Sequence, residues 1–385
     1  MIYLDYQATT PLAPEALDAM LPWLRDQHAN PHSAHRPARA AKAAVEVARE
    51  QVAALLPPGG RVVFTSGATE ALNWAIKGTT GPIVTLATEH AAVLDTVAAE
   101  AAKGRAVTML PVGADGLTDL EDARAAIAVG TGLVAAMLVN NEIGVIQPIA
   151  ALADAAHEAG ALVLCDAVQG CGRVAIPQNV DLVAISAHKI YGPKGIGALW
   201  IRDGVALEPL LHGGDQEGGR SGTLSPALCA GFGVAAALMK EREAKDRAHI
   251  EALWELATRL LRLPGGSRGL VGRAADWAPA SAGEALKSGE YRLNGSPTHR
   301  YAGNLNIRLP GLDVARLMSD LRDFAFSAGS ACASGSGRPS HVLRAIGLTD
   351  AQARSSIRLG WGRYTTQAEL TGAITRIDAA ARAQA

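Results

Sequence analysis

Short apolar runs alternate with helix-favouring stretches between residues 61 and 202. Such alternation is typical of repeated β-α units whose strands form a largely parallel sheet, because strands covered by helices on both faces are apolar throughout. The runs lie at 62–65, 83–87, 107–111, 133–139, 161–166, 182–186 and 198–201. The pattern therefore predicts an α/β large domain with a mainly parallel central sheet.

Further helical patterns flank this region. An Ala-rich stretch at 38–56 stops at a Pro-Pro-Gly-Gly breaker, and a second pattern runs from 226 to about 263, where Pro-Gly-Gly ends it. The composition then shifts to Gly, Ser and Pro, which predicts a smaller α+β domain over 264–385 after a large domain over 1–263. About the first 15 residues are expected to pack with the small domain. The small domain should contain a strand at 304–309 and helices at 314–322, 340–346 and 367–383.

Composition and charge exclude several classes of function. Apolar residues make up 49% of the chain, charged residues 19%, and the net charge is −1, so nucleic acid and anionic membranes are not expected as partners. The apolar stretches are shorter than a bilayer span, and the N-terminus lacks a secretory signal, which predicts a cytoplasmic location. The four cysteines show no CxxC pair, so neither a metal site nor a disulfide framework is expected.

The segment Ser-Ala-His-Lys at 186–189 carries the strongest chemical signal. Lys189 directly follows the predicted strand 182–186, and ligands of parallel sheets bind at the carboxyl ends of strands. A lysine there can hold pyridoxal phosphate as a Schiff base. Taken alone, a strand-end lysine is more often a solvated charge. Its rival is Lys194, which lies in a Gly/Pro turn and is expected to support that turn.

Three polar residues follow neighbouring strands and fit the same cofactor. Asp166 ends the run 161–166, where its carboxylate could pair with a pyridinium nitrogen, although a loop cap is an equal alternative. Gln169 could donate to the phenolic oxygen of the cofactor. His90 follows the run 83–87, and its imidazole could stack on the ring and relay protons, whereas a lone strand-end histidine is more often structural.

A phosphate site is predicted where the run 62–65 turns through Ser66 and Gly67 into a helix that begins near Ala68 and Thr69. Free backbone N–H groups at a helix N-terminus suit a phosphate, although most such turns are plain helix caps. Ser186 and His188 could add donors to the same phosphate.

The stretch 327–339 is a second candidate centre. Small residues and glycines surround Cys332 there, which predicts a mobile loop with an accessible thiol. Cys165 and Cys229 lie in predicted strand and helix and are expected to be core residues, as is Cys171.

Together these motifs resemble the cysteine desulfurases of the NifS/IscS type, pyridoxal-phosphate enzymes of the class V aminotransferase family. The resemblance covers nearly the whole chain, in family order. It rests on the segments at 3–11, 30–33, 64–70, 89–90, 139–148, 166–169, 186–195, 220–223, 329–332 and 356–358.

The resemblance implies fold type I and a role for each matching residue. Lys189 would carry the cofactor, His90 would stack on it, and Asp166 and Gln169 would bind its ring. The implied phosphate ligands are Ala68, Thr69, Ser186, His188 and, from the neighbouring subunit of a homodimer, Thr223. Asn141 and Arg358 would hold the carboxylate of L-cysteine.

The implied reaction converts L-cysteine to L-alanine, with Cys332 accepting the sulfur as a persulfide before transfer to an acceptor protein. Such an acceptor could be an iron–sulfur scaffold, where Cys332 could touch a nascent cluster, or a tRNA-thiolation factor. The acceptor cannot be identified from the sequence. The chain departs from the family at Asp215 and Gly218, within 212–223, and at Leu359–Arg363.

Three alternatives stay open. A class V aminotransferase would use the same lysine and aspartate but needs no thiol. A selenocysteine lyase would also use the same lysine and aspartate, and the sequence does not distinguish it from a desulfurase. A non-catalytic scaffold for sulfur transfer has no chemical need for Lys189, Asp166, His90 and Cys332 together.

Overall fold

The seven apolar runs between residues 61 and 202 form one sheet. The structure, a computed structural model, describes residues 1–214, 216–263, 290–329 and 339–384. The sheet strands are β2 (Gly60–Thr65), β3 (Ile83–Leu86), β4 (Val107–Leu110), β5 (Leu133–Met137), β6 (Leu162–Asp166), β7 (Leu182–Ser186) and β8 (Gly197–Arg202). They lie in the order β2-β8-β7-β6-β5-β3-β4. Only β8 runs antiparallel to its neighbours, so the prediction of a mainly parallel sheet is confirmed.

Alternating side chains of these strands enter two apolar layers, one on each face of the sheet. Val62 and Phe64 of β2 belong to one layer, whereas Val63 belongs to the other. This period of two is the geometric consequence of a pleated strand, and helices cover both faces. The helices that accompany the sheet are α1 (Pro14–Arg25), α2 (Arg36–Ala53), α3 (Ala68–Lys77), α4 (Ala91–Ala102), α5 (Leu120–Ala126) and α6 (Ile149–Glu158).

The single helix predicted over 226–263 is wrong. The chain forms α7 (Pro226–Glu241) and α8 (Glu243–Leu260), separated at Arg242, whose ψ of 4° leaves the helical region. The break lets the two helices pack on different partners. Helix α7 lies on α1 and α2, whereas α8 packs against the C-terminal helix Gln367–Arg382. Apolar periodicity alone does not reveal such a change of direction, because both halves bury one face.

The rest of the described chain builds a second, four-stranded sheet in the order β12-β13-β10-β9, antiparallel throughout. Its strands are β9 (Arg292–Leu293), β10 (Asn304–Arg308), β12 (Ser327–Ala328) and β13 (Ser356–Gly360). The helices are α9 (Val314–Asp320), α10 (His341–Ala345), α11 (Asp350–Arg354) and α12 (Gln367–Arg382). Ser327 and Ala328 therefore form a strand, although they were predicted to begin a mobile loop.

The N-terminal strand lies against the C-terminal part of the chain. β1 (Ile2–Tyr3) pairs in parallel with β11 (Phe324–Ala325). The predicted domain boundary at 263/264 falls at the edge of the described residues and stays a prediction. Among the described helices, none is long and apolar enough to cross a membrane.

Candidate active site

A cavity of about 480 Å³ opens at the carboxyl edge of the parallel strands. The turns after β2, β3, β5, β6 and β7 all contribute to it, as expected for the ligand site of a parallel sheet. The cavity is lined by ten of the residues singled out from the sequence: Ala68, Thr69, His90, Asn141, Asp166, Gln169, Ser186, His188, Lys189 and Arg358.

Thr223 and Cys332 are the two predicted site residues that remain. Thr223 is exposed on the single chain and does not line it. Cys332 lies outside the described residues, as does Asp215. Each of the other three cysteines is buried without a disulfide, and burial raises the pKa of Cys171 and of Cys229 to about 12.

Lys189 ends a short 3₁₀ turn, Ala187–Lys189, directly after β7. Its Nζ donates to the backbone carbonyls of Gln7, at 2.5 Å, and Ala8, at 2.8 Å. The N-terminal segment was part of the family resemblance, but no role was predicted for these two residues. They act through main-chain oxygens, which every residue type carries, so side-chain identity could not reveal the contact.

Asp166 is buried at the end of β6, where its Oδ1 accepts the backbone N–H of Val168 at 3.0 Å. Burial raises the pKa of this carboxyl, and the nearby His90 and Lys189 act in the opposite direction. A buried carboxylate needs a cationic or hydrogen-bonding partner. Asp166 is therefore placed to pair with a cationic ligand nitrogen.

His90 caps α4, because its Nδ1 accepts the backbone N–H of Ala92 at 3.1 Å. Burial lowers the pKa of His90, although Asp166 partly opposes this effect. A ring nitrogen that accepts a hydrogen bond carries no proton, so the neutral imidazole carries its proton on Nε2. The cap to α4 thus fixes the orientation of the His90 ring, with the N–H of the neutral imidazole on Nε2.

The N-terminus of α3 borders the cavity through Ser66, Gly67, Ala68 and Thr69. A Cβ atom added at Gly67 would have no neighbouring atom within 4 Å, so the turn is open on that side. Such a helix start presents N–H groups and a positive dipole end to an anion. His188 lies beside it and is held by Thr9, whose Oγ1 is 3.1 Å from the ring Nδ1; burial lowers the pKa of His188 to about 4.

Arg358 lies buried on β13 beside Asn141. Its Nη1 donates to the Asn141 carbonyl at 3.1 Å, and its Nη2 donates to Asp5 Oδ1 at 2.7 Å and to Ser327 Oγ at 3.2 Å. One nitrogen of the guanidinium thus binds Asp5. The sequence did not suggest this ion pair. The ion pair orients the guanidinium beside the cavity and compensates its buried charge.

Three further residues lie in or next to the cavity: Gln169, Arg173 and Lys194. Gln169 Nε2 donates to the Gln7 carbonyl at 2.9 Å, and Arg173, which sequence reasoning missed, binds both Gln169 and the Lys189 carbonyl. Lys194, interpreted as a turn residue, also lines the cavity.

The divergent segment 212–223 is anchored through residues other than those that depart from the family. Glu217 is buried and receives two hydrogen bonds from Arg49, both at 2.7 Å. Arg220 donates to Glu70 in the first turn of α3, at 2.8 Å. This segment is therefore fixed to the helix that borders the cavity.

Among the described residues, no group of three or more His, Cys, Asp or Glu side chains could hold a metal ion.

Comparison with known proteins assigns the chain to a family. The model of the class-V aminotransferase family matches residues 2–275. The mitochondrial cysteine desulfurase of Candida maltosa is 42% identical over 98% of this chain and 76% of its own length. Cysteine desulfurase IscS of Rickettsia rickettsii is 40% identical over 98% of this chain and 90% of its own.

A solved structure of SspA in complex with cysteine is 34% identical, with a TM-score of 0.79, over 95% of this chain and all of its own. The family is one of pyridoxal-phosphate-dependent enzymes. The chain belongs to the class-V aminotransferase family and, within it, to the cysteine desulfurases of the NifS/IscS type.

Proposed function

We propose that this protein removes sulfur from L-cysteine, with pyridoxal phosphate held at Lys189, and delivers it to the thiol of Cys332. The observation that carries the proposal is the meeting of Lys189, Asp166 and His90 in one cavity that also contains a helix N-terminus and Arg358. The names of the relatives and the SspA complex with cysteine support the choice of substrate.

The donors and acceptors around the cavity fit pyridoxal phosphate. The start of α3, with Thr69, Ser186 and His188, suits the phosphate, and the buried carboxyl of Asp166 suits the pyridinium nitrogen. The imidazole of His90 and the amide side chain of Gln169 line the same cavity. When bound, the cofactor supplies an electron sink for the carbanion left by removal of the substrate α-proton.

Lys189 and His90 are the two groups placed to move protons. The Lys189 amine, once neutral, can accept the α-proton, and the carbonyls of Gln7 and Ala8 bind the resulting ammonium. His90 is held neutral by burial, with its proton on Nε2, so it acts as a donor towards the cavity. Arg358 and Asn141 orient the carboxylate of cysteine, since a guanidinium binds carboxylates with fixed geometry.

The sulfur-transfer step is assigned to Cys332. Its thiolate attacks the sulfur of the bound cysteine, so that a sulfur–sulfur bond forms while the carbon–sulfur bond breaks. The electron pair of the broken bond stays with carbon, which gains a proton as alanine forms, and the enzyme keeps a persulfide. A protein acceptor, such as an iron–sulfur scaffold or a tRNA-thiolation factor, would then take the sulfur.

A homodimer is part of the proposal. Thr223 is exposed and does not line the cavity of its own chain, so its hydroxyl could reach the phosphate site of a second copy. The anchoring of segment 212–223 through Glu217 and Arg220 would hold that hydroxyl in a defined position.

Among the described residues, Lys189 and Lys194 are the lysines that line the cavity, and their variants test the proposal directly. Lys189→Ala should abolish covalent attachment of pyridoxal phosphate, whereas Lys194→Ala should keep it, since it is the Lys189 amine that donates to the Gln7 and Ala8 carbonyls and whose charge acts on Asp166. Borohydride reduction followed by peptide mass spectrometry locates the attached lysine. Attachment to Lys194 in the parental protein would contradict the assignment.

A further inference from the structure

Arg173 connects the two segments that carry the proposed cofactor ligands. It lies one turn after Gln169, and its Nη1 donates to the Gln169 carbonyl at 3.2 Å and to the Gln169 Oε1 at 3.4 Å. Its Nη2 donates to the Lys189 carbonyl at 2.5 Å. One guanidinium thus binds the segment after β6 and the segment after β7.

The guanidinium is itself held in place. Its central carbon lies 5.3 Å from the centre of the Tyr301 ring, within the range of a cation–π contact. Tyr301 is buried, and its backbone N–H donates to the Gly144 carbonyl at 2.9 Å. Arg173 therefore has a fixed platform on one side and two carbonyls to bind in the plane of its fork.

The Lys189 main chain needs such support because of the conformation that follows it. Tyr191, two residues later, has a φ of +67°, a left-handed conformation that is strained for a residue other than glycine. Thr10 fixes the other side of this turn: its N–H donates to the His188 carbonyl at 2.9 Å, and its Oγ1 accepts the Tyr191 N–H at 2.8 Å. The Lys189 carbonyl lies within this turn, and Arg173 binds it.

We propose that Arg173 is a positioning residue that ties the main chain of Lys189 to Gln169, so that the amine and the amide face the cofactor in a fixed relative position. The proposal rests on the proposed function, because it concerns attachment of pyridoxal phosphate at Lys189. Arg173 does not line the cavity, so it acts only through the two residues that it binds.

Arg202 provides a matched control. Its Nε donates to the Val180 carbonyl at 3.0 Å, its Nη2 also binds the Gln178 carbonyl, and its guanidinium lies 5.3 Å from the Trp200 ring. It therefore makes the same kinds of contact, with an added ion pair to Asp181, but at segments that do not border the cavity. Any general loss of packing or of backbone hydrogen bonds should be similar in the two Ala variants.

The test compares Arg173→Ala, Arg173→Lys and Arg202→Ala with the parental full-length protein. Titration of cofactor-free protein with pyridoxal phosphate gives the Kd, and borohydride trapping gives the fraction attached to Lys189. Arg173→Ala should raise the Kd about tenfold or more, since it loses charged hydrogen bonds that orient two ligands. Arg173→Lys should be intermediate because an ammonium lacks the fork. Arg202→Ala should stay within about twofold of the parent.

Hydrogen exchange of the peptide that spans Lys189 to Tyr191, measured without cofactor, separates this proposal from the proposed function. Exchange should be faster in Arg173→Ala than in the parent and unchanged in Arg202→Ala. If the parent failed to attach the cofactor, the proposed function would be refuted. The hydrogen-exchange rates of the variants would still show whether Arg173 orders the Lys189 main chain. Parental exchange and parental Kd in Arg173→Ala, or equal losses in both Ala variants, would overturn the positioning role.

Discussion

Replacing Glu89 by Gln should make the stability of the protein less dependent on pH. Glu89 is completely buried next to the site, its Oε1 accepts the Met137 N–H at 2.8 Å, and its buried Oε2 has no hydrogen-bond partner among the described residues. Burial raises the pKa of Glu89 well above 4.5, and the neighbouring Asp166 raises it further. Burial thus favours the protonated, neutral form of the Glu89 carboxyl in the folded protein.

The sign of the pH effect follows from this raised pKa. Below about pH 4.5 both the folded and the unfolded chain hold the proton, so Glu89 causes no pH-dependent loss of stability. As the pH rises towards the folded pKa, the unfolded chain releases its proton and the folded state loses relative stability. Each unit of difference between the two pKa values corresponds to about 1.4 kcal/mol. Gln has nearly the same shape and no titration, so Glu89→Gln removes this loss.

Truncating Glu89 to Ala should change the free energy of unfolding by a different amount from Glu89→Gln. Glu89→Ala leaves the Met137 N–H without its buried acceptor, which costs about 1–3 kcal/mol, and it removes a methylene worth about 0.8 kcal/mol. Near pH 5, Glu89→Ala should therefore lower the free energy of unfolding by about 2–4 kcal/mol. This deficit should shrink as the pH rises, because the Ala variant also lacks the titrating carboxyl. Glu89→Gln keeps an acceptor for Met137 and should stay within about 1 kcal/mol of the parent near pH 5.

Urea unfolding followed by tryptophan fluorescence at pH 5.5 and pH 8.5 measures both effects. The stability of Glu89→Gln relative to the parent should rise between these pH values, by about 1.4 kcal/mol for each unit of the pKa difference that they span. Glu15, exposed in the first turn of α1, provides the control, since Glu15→Gln removes the same titrating group from the surface. An unchanged difference between Glu89→Gln and the parent across this range would show that Glu89 is ionised in the folded state and refute the reasoning.

Three further outcomes are expected. Cys332→Ala should keep the bound cofactor and lose sulfide release in a cysteine turnover assay; turnover at the parental rate would show that Cys332 does not accept the sulfur. Asp5→Ala should lower the free energy of unfolding by about 3 kcal/mol and raise the KM for cysteine, because Arg358 loses the carboxylate that compensates and orients it; urea unfolding and steady-state kinetics check both, and a variant as stable as the parent would contradict it. Glu217→Gln should cost about 3 kcal/mol in urea unfolding, since its buried carboxylate binds Arg49, whereas a loss below about 0.5 kcal/mol would show that the ion pair adds little.

Most residues that line the cavity could be predicted from the sequence, because they directly follow apolar runs that form strands. Asp166, His90 and Lys189 are far apart in sequence, yet the topology of a parallel sheet brings strand ends to one edge. The contribution of the Gln7 and Ala8 carbonyls could not be predicted, because a main-chain oxygen leaves no trace in side-chain identity.

Other features depend on contacts that no local pattern encodes. The Asp5–Arg358 ion pair joins residues 353 positions apart, and neither lies in a segment whose periodicity suggests a partner. The break at Arg242 between α7 and α8 was missed because the apolar face continues across it. Local patterns thus predicted the elements and the edge where ligands bind, whereas the supporting contacts around the site required the folded chain.

Anaerobic incubation of the purified protein with L-cysteine, pyridoxal phosphate and a thiol reductant tests the central claim most directly. Alanine and sulfide are quantified together in the same samples. Desulfuration at this site predicts that both appear in equal amounts and that Lys189→Ala forms neither. Alanine without sulfide, or sulfide without alanine, would contradict the claim that this protein is a cysteine desulfurase.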